Sequence, residues 1–339
     1  MIPRMTIPDQ VIEQSRGQGG VMSRKQILSC GVSDDVIGRL VRSGRWQRLA
    51  QGIYALEPDS WMQRVWAGLL IGGDRAVVGL RAAAKLWNLP YEKGRYEPDN
   101  PPIEIYVGET HHVLPSNDKW RFIRSSRSGQ LTPRRTSIAQ TIVDLARTMT
   151  GDQMASLVGQ SVGRHRVTPR EIQSALKQTG HHPHRTLLAG VVSDTADGVT
   201  SALEWHYVHD VERAHGLPKA WRQAKPVAIF TVDNFYEEYG LIVELDSRAY
   251  RDAGRVYATE SCGTEAKEAV DALRAKYHRG VAAAQDLERD RIHERNGYST
   301  LRFTWADVVD HPCRTASLVA STLAARGWRG ALTTCPRCT

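Results

Sequence analysis

The stretch Pro226-Val-Ala-Ile-Phe-Thr-Val-Asp-Asn-Phe-Tyr-Glu-Glu-Tyr-Gly-Leu-Ile-Val-Glu-Leu-Asp-Ser-Arg-Ala-Tyr250 decides how this chain is read. An apolar, β-branched run ends at Asp233, a polar turn follows from Glu237 to Gly240, and a second apolar run starts at Leu241. Two such runs around a short polar turn predict a β-hairpin. In the second strand, side chains alternate between faces. Leu241, Val243 and Leu245 share an apolar face that reads as core, while Ile242, Glu244 and Asp246 share the other. The hairpin folds Asp233 back towards these two acids. Two readings are open at this point. Three converging acids suit a hard cation, because Mg2+ takes carboxylate oxygens and leaves room for phosphate and water. Alternatively, they are solvated charges on an open face that discourage edge pairing.

The surrounding chain has 339 residues, enough for two or three domains with buried cores. Its 41% hydrophobic and 24% charged content are ordinary globular values. A net charge of +8 points to a polyanionic partner, nucleic acid before membrane. The five cysteines, Cys30, Cys262, Cys313, Cys335 and Cys338, are odd in number and scattered. That argues against a disulfide framework and for a reducing compartment. Cys335-Pro-Arg-Cys338 lacks a second pair nearby, and zinc takes four ligands, so the expectation there is a mobile tail. No basic-then-apolar signal pattern opens the chain, and the apolar stretch from Trp66 to Leu80 is interrupted by Asp74 and Arg75. The expectation is a soluble, cytoplasmic protein with no membrane partner.

Towards the N-terminus, residues 1–20 are polar and end in glycines, which predicts a flexible lead-in. Ser23-Arg-Lys-Gln26 has the form of a capping box and opens a short helix. Ser33 is expected to cap a second helix, whose Val36, Ile37, Leu40 and Val41 form one apolar stripe. Gly44 ends it, and two short extended runs follow, at Trp46–Leu49 and Gly52–Ala55. Helix, tight turn, helix and small hairpin is the order of a winged helix. Residues 21–56, closing on Ser-Gly-Arg-Trp-Gln-Arg-Leu and Gly-Ile-Tyr-Ala, resemble the N-terminal winged-helix domain of AbiEi-family antitoxins of type IV toxin–antitoxin systems. The segment carries Arg24, Lys25, Arg39, Arg42, Arg45 and Arg48 against Asp34 and Asp35, a surface suited to DNA phosphates. The two acids sit in the first turn of the expected recognition helix. There they suit the helix dipole but repel phosphate, so contacts are expected from Arg39, Arg42 and the wing.

The middle region, 58–195, reads as α+β. Helices are expected over Met62–Leu70, 76–90 and 134–147, and a strand at 103–107 pairs with one at 120–124. The AbiEi resemblance extends through about residue 175 and implies an antitoxin-like middle domain. His111-His112 and His181-His182-Pro183-His184 have no partnering acids or cysteines at ligand spacing and read as loop histidines. The second of these runs, with the polar stretch to Gly198, reads as a linker.

Beyond it, Thr200 or Ser201 caps a helix with Glu204 in its first turn. The opening hairpin follows, then a charged helix containing Glu288-Arg-Asp-Arg291, a strand at 298–305 and closing helical material. Glu204, Asp233, Glu244-Leu-Asp246, Arg289-Asp290 and Leu301-Arg-Phe-Thr-Trp305 together resemble domains related to the very-short-patch repair endonucleases, within the PD-(D/E)xK nuclease superfamily. The resemblance covers about residues 196–310. It implies a Mg2+- or Mn2+-dependent endonuclease in which Asp233 and Glu244 are the metal ligands and Glu204 orients a bound water or second cation. Asp246 stands where the superfamily usually has its catalytic lysine, so Arg248, Tyr250 or Arg251 must supply that charge stabilisation. Ser247 replaces the subfamily's Gly, and Arg251 replaces a His able to act as general base. Arg251 can still hold a phosphate.

The fold class expected is therefore multidomain α/β: lead-in (1–20), winged helix (21–57), α+β middle domain (58–195), restriction-endonuclease-like α/β domain with a mixed sheet (196–312), and C-terminal helix and tail (313–339). The function expected is a DNA-binding, Mg2+-dependent endonuclease. Its alternative is a non-catalytic AbiEi-like antitoxin that represses its own promoter and neutralises a nucleotidyltransferase-like toxin.

Overall fold

The computed structural model describes residues 7–56, 60–91, 100–109, 116–129, 131–227, 230–246 and 287–338. The chain divides into two compact units, Met1–Thr150 with Arg164–Leu188, and Gly151–Gly163 with Ala189–Thr339. The N-terminal module and most of the middle region thus form one unit. The segment 151–163 leaves it to join the C-terminal unit, a long-range exchange that local sequence patterns do not announce.

The first unit opens with α1 (Asp9–Gly17), β1 (Val21–Ser23), α2 (Arg24–Ser29), α3 (Asp34–Arg42), β2 (Gln47–Ala50) and β3 (Ile53–Ala55). The three strands form an antiparallel sheet in the order β1-β3-β2. Residues 9–17 are a helix rather than a flexible lead-in. Val11 is fully buried with Met22, Ile27, Val32, Ile37, Leu40 and Trp46. The capping box of α2 is present in full: Gln26 N donates to Ser23 Oγ (3.2 Å), and Ser23 N donates to Gln26 Oε1 (2.9 Å). Ser33 precedes α3 but makes no capping bond; Asp34 and Asp35 in the first turn face the positive end of the helix dipole instead.

The same unit continues through α4 (Trp61–Gly72), β4 (Val77–Val78), α5 (Leu80–Trp87), β5 (Ile103–Val107), β6 (Trp120–Arg124) and α6 (Ile138–Leu145). After α7 (Gly151–Gly163), which belongs to the second unit, α8 (Pro169–Gln178) returns to it. The expected strand pair is parallel, with Ile103 opposite Trp120, and β4 adds an antiparallel edge to β5. All five residues of β5 are buried, so its alternation is between two covered faces. Gly68 on α4 lets the helix approach the sheet: a Cβ there would lie 2.8 Å from the Trp120 indole. Two buried acids are paired within this core. Glu104 accepts from Arg81 Nε at 2.7 Å, and Asp144 accepts from Arg127 at 2.6 Å and Tyr106 OH at 3.1 Å. The histidine-rich run at 181–184 is not a linker. His182 is buried with its Nε2 3.0 Å from Val143 O, and α9 (Arg185–Ala196) starts immediately after it.

The second unit contains α10 (Ala202–His206), a π-helical turn (Tyr207–Arg213), β7 (Trp221–Val227), β8 (Phe230–Tyr236), β9 (Leu241–Asp246), α11 (287–295), β10 (Ser299–Thr304), a second π turn (Ala306–Asp310) and α12 (Pro312–Ala325). The hairpin is β8–β9, closed by a 3-10 turn at Glu237–Tyr239 with Gly240 in the left-handed region (φ 56°) that glycine adopts without strain. The four-stranded sheet runs β10-β9-β8-β7, with β10 parallel to β9 and the other pairs antiparallel. The sheet is therefore mixed, with a strand that the hairpin pattern did not announce: β7, Trp-Arg-Gln-Ala-Lys-Pro-Val, is polar and contains a proline because it lies on the edge. One face buries Leu241 and Val243 against Leu203, Tyr207, Val211, Phe303 and the inner face of α12. The other buries Ile242 with Ala224, Val232 and Phe235. The face carrying Glu244 is thus covered rather than open.

The last described residues are not a free tail. Thr333 N donates to His215 O at 3.0 Å, and Thr333 Oγ1 donates to Ala214 O at 3.3 Å, which pins the segment beyond α12 to the turn after the first π helix.

Candidate functional site

In the N-terminal module, Ile37 and Leu40 turn α3 inward, and Asp35, Arg39 and Arg42 follow one another at helical spacing on its exposed side. Lys25, Arg45 and Arg48 are exposed as well. Arg24 is committed elsewhere. Its guanidinium grips Asp34 with two hydrogen bonds, one from Nε at 2.7 Å, and these hold the Asp34 carboxyl below the usual carboxylate range. At this exposure the pair contributes little stability. Its consequence is electrostatic: one of the two acids that oppose a phosphate at the start of α3 is neutralised from α2. The cationic surface is left to Lys25, Arg39, Arg42, Arg45 and Arg48.

Residues 9–56 match the family described as "Transcriptional regulator, AbiEi antitoxin". The match begins at the first residue of α1 and ends just after β3, so it covers the helix–strand–helix–helix–hairpin module and nothing beyond. No curated protein matches the chain.

Of the acids predicted to converge in the second unit, Asp233 and Glu244 lie together, and among the described residues the acids do not draw as close to one another as the ligands of a metal ion would. Asp233 on β8 and Glu244 on β9 are neighbours across the antiparallel pair: Asp233 N donates to Glu244 Oε2 at 3.3 Å, and Leu245 N donates to Asp233 Oδ2 at 2.8 Å. Gln223 Nε2 on β7 donates to the other Asp233 oxygen at 3.4 Å. Glu204, in the first turn of α10, is near enough for the charge of Asp233 to act on it. Burial first, and then that charge, push the Glu204 carboxyl up to about 7. Hydrogen bonds from Thr200 N, Thr200 Oγ1 and Ser201 Oγ, at 2.8–3.0 Å, hold the carboxyl in place and partly offset that rise. Burial likewise raises Asp233, and burial with the Asp233 charge raises Glu244. Asp246 ends β9 opposite Thr304, one alternation further along the strand than Glu244. Arg248 and Arg251, with Ser247 and Tyr250, lie outside the described residues.

The Arg-Asp pair of α11 has a clear part in this arrangement. Arg289 donates to Glu244 Oε1 at 2.8 Å and to Thr231 O at 2.9 Å, with its guanidinium 5.3 Å from the Phe230 ring centre. Asp290 accepts from Arg302 at 2.7 Å, and Arg302 stands opposite Glu244 in the parallel β9–β10 register. Asp233, Glu244, Arg289, Asp290 and Arg302 are thereby joined across three strands and a helix. One turn beyond Arg289, His293 is fully buried, and burial holds its imidazole below the ordinary value, so it is neutral at pH 7. Its Nε2 has no hydrogen-bond partner among the described residues. In sequence Arg289 stood out only as part of the Arg-Asp motif, with no role of its own, and His293 did not stand out at all, because it lies on a charge-rich helix.

Proposed function

We propose that the chain is a DNA-binding transcriptional regulator of the AbiEi antitoxin type, with residues 9–56 acting as its winged helix. The observation that carries this is the cationic stripe on α3, in a module whose element order and family match agree. In this role α3 approaches the major groove, and Lys25, Arg45 and Arg48 contact flanking phosphates. The antitoxin reading also implies a protein partner, a nucleotidyltransferase-like toxin, which co-purification of the two co-expressed chains would test.

The DNA reading is tested by anisotropy titrations of the full chain against labelled DNA from upstream of its own coding sequence. Arg39→Ala/Arg42→Ala is expected to weaken binding at every sequence tried. It should also flatten the dependence of log K on log salt by about 2, at roughly 0.9 for each phosphate that is no longer neutralised. Arg24→Ala should have a smaller effect, because that side chain is already spent on Asp34. Unchanged affinity and salt slope in the double variant would refute the reading.

A second reading, a Mg2+- or Mn2+-dependent endonuclease, is favoured by one observation: two desolvated carboxylates, Asp233 and Glu244, are neighbours across the β8–β9 pair, and the Asp233 charge acts on a third, Glu204. Their donor set suits a hard cation, and Asp233 and Glu244 would hold it, with Glu204 beside them. A bound ion would supply Lewis-acid polarisation of a phosphodiester. Arg289 now compensates part of this charge, so an ion would compete with it for Glu244 Oε1. Mn2+ is expected to raise the thermal midpoint of the wild type at pH 8, less so at pH 5.5, where Glu204 is protonated, and not at all in Asp233→Ala. Plasmid nicking should likewise be lost in Asp233→Ala and Glu244→Ala. No shift with Mn2+, together with equal nicking by wild type and both variants, would leave the regulator alone.

A further inference from the structure

The C-terminal Cys335-Pro-Arg-Cys338 acquires partners that sequence spacing cannot supply. His215, in the turn after the first π helix, and Cys313, in the first turn of α12, lie against it. The ligand atoms of His215, Cys313, Cys335 and Cys338 all fall within 4.8 Å of one another. Cys313 Sγ is 3.6 Å from Cys335 Sγ and 3.5 Å from Cys338 Sγ, and Cys335 Sγ is 3.7 Å from Cys338 Sγ. His215 Nε2 is 3.5 Å from Cys338 Sγ. A tetrahedron built with Zn–S near 2.3 Å and Zn–N near 2.0 Å has S···S edges of about 3.8 Å and S···N edges of about 3.5 Å. The three S···S edges and the His215–Cys338 edge already stand near those spacings, and the other two S···N edges fall within 4.8 Å.

We propose that His215, Cys313, Cys335 and Cys338 form a mononuclear Cys3His site for Zn2+. Three mutually touching thiols are not a disulfide arrangement, since any one S–S bond strands the third sulfur. The surroundings also favour a metal. His215 is buried and its Nδ1 lies 3.0 Å from Val211 O, so Nδ1–H donates there and the Nε2 lone pair faces the sulfurs. Arg337 N donates to Cys335 Sγ at 3.3 Å, and Cys338 N donates to Cys335 O at 2.9 Å, the tight turn that presents both sulfurs of a Cys-x-x-Cys to one ion. Three soft thiolates with one imidazole select Zn2+ over the hard cations, and spacings this short exclude a polynuclear cluster. With all four positions filled by protein the site is closed, hence structural. It ties the segment beyond α12 to the helix that carries Glu204, the same junction that the Thr333 hydrogen bonds span.

The test uses the full chain purified without chelator. Elemental analysis is expected to find one zinc per chain in the wild type and in Cys30→Ser, a cysteine of the first unit that is not part of the cluster, and a loss of most of that zinc in Cys335→Ser/Cys338→Ser. Stripping the wild type and titrating with Co2+ should produce the intense visible absorption of tetrahedral thiolate-bound cobalt, bleached by added Zn2+. This readout needs no folded variant. A wild type that retains no zinc and gives no thiolate–cobalt spectrum would overturn the assignment, as would a double variant that keeps wild-type zinc.

Discussion

Arg222→Met is expected to lower the stability of the second unit by about 3–5 kcal/mol, because it leaves a buried carboxylate without its counter-charge. The side chains of Arg222 on β7 and Glu212 on the first π turn are 4% and 3% exposed and meet at 2.5 Å. Both side chains make further hydrogen bonds. Arg222 Nη1 donates to Asn234 Oδ1 at 2.6 Å, and Glu212 Oε2 accepts from Ala220 N at 3.2 Å and Tyr236 OH at 3.4 Å. Tyr236 and Tyr207 then share a hydrogen bond at 2.9 Å, which carries the network across the core. Removing the guanidinium strands Glu212 among Tyr207, Tyr236 and the apolar cluster of α12. The loss is a large part of the roughly 5–15 kcal/mol that holds a typical domain together. Urea denaturation of the wild type, Arg222→Met, Glu212→Leu and the double variant would measure it. The double variant should be more stable than the sum of the two single costs predicts, and more stable than at least one single, because a buried ion pair replaced as a whole by apolar groups is often nearly neutral. A single-variant cost near the roughly 1 kcal/mol of an ordinary hydrogen bond would contradict the account.

That network also marks where the sequence stops being readable. The β8–β9 hairpin was legible because two apolar runs flank a turn whose Gly240 takes a positive φ, and the Ser23 capping box and the Ser201 cap were legible from local chemistry alone. β7 was not, because an edge strand needs only one buried side chain per turn of the pleat, and Ala224 is its one residue in the core. Nor was α1, whose contribution to the core rests on Val11. The acids of the candidate site were legible as a pattern, as were Arg289 and Arg302 within their motifs, but the partners of these two arginines and the burial of His293 were not, since they depend on how α11 docks on the sheet. The histidine and cysteines of the proposed zinc site are the extreme case: the two ends of that cluster are drawn together from His215 and Cys338, and a lone Cys-x-x-Cys carries half of a ligand set.

Raising the pH from 6 to 10 should remove about 2–3 kcal/mol of stability through His206 alone, after discounting for the half-exposed Asp152. His206 ends α10 with Nδ1 2.7 Å from Asp210 and Nε2 2.8 Å from Asp152, between the rings of Trp205 and Trp305. A neutral imidazole has one N–H, so both bonds exist only for the imidazolium. Burial works against the charge, but the two carboxylates overcome it and push His206 up to about 9, against 6.5 in the unfolded chain. A raised histidine stabilises fully below about pH 6.5, and its contribution fades as the pH rises through 9. The difference in thermal midpoint between the wild type and His206→Gln should therefore be constant to about pH 6.5 and shrink towards pH 10, with thiols and lysines cancelling between the two proteins. Parallel curves over that range would refute it. Glu204, two residues away on the same helix, acts in a separate window. Its carboxyl is raised from 4.5 to about 7, so the folded state holds the extra proton, and stability falls as the pH climbs between those values. A Glu204→Gln variant would flatten the wild-type profile below pH 7 and leave the His206 decline above it, which separates a helix cap perturbed by Asp233 from an ion pair perturbed by two carboxylates.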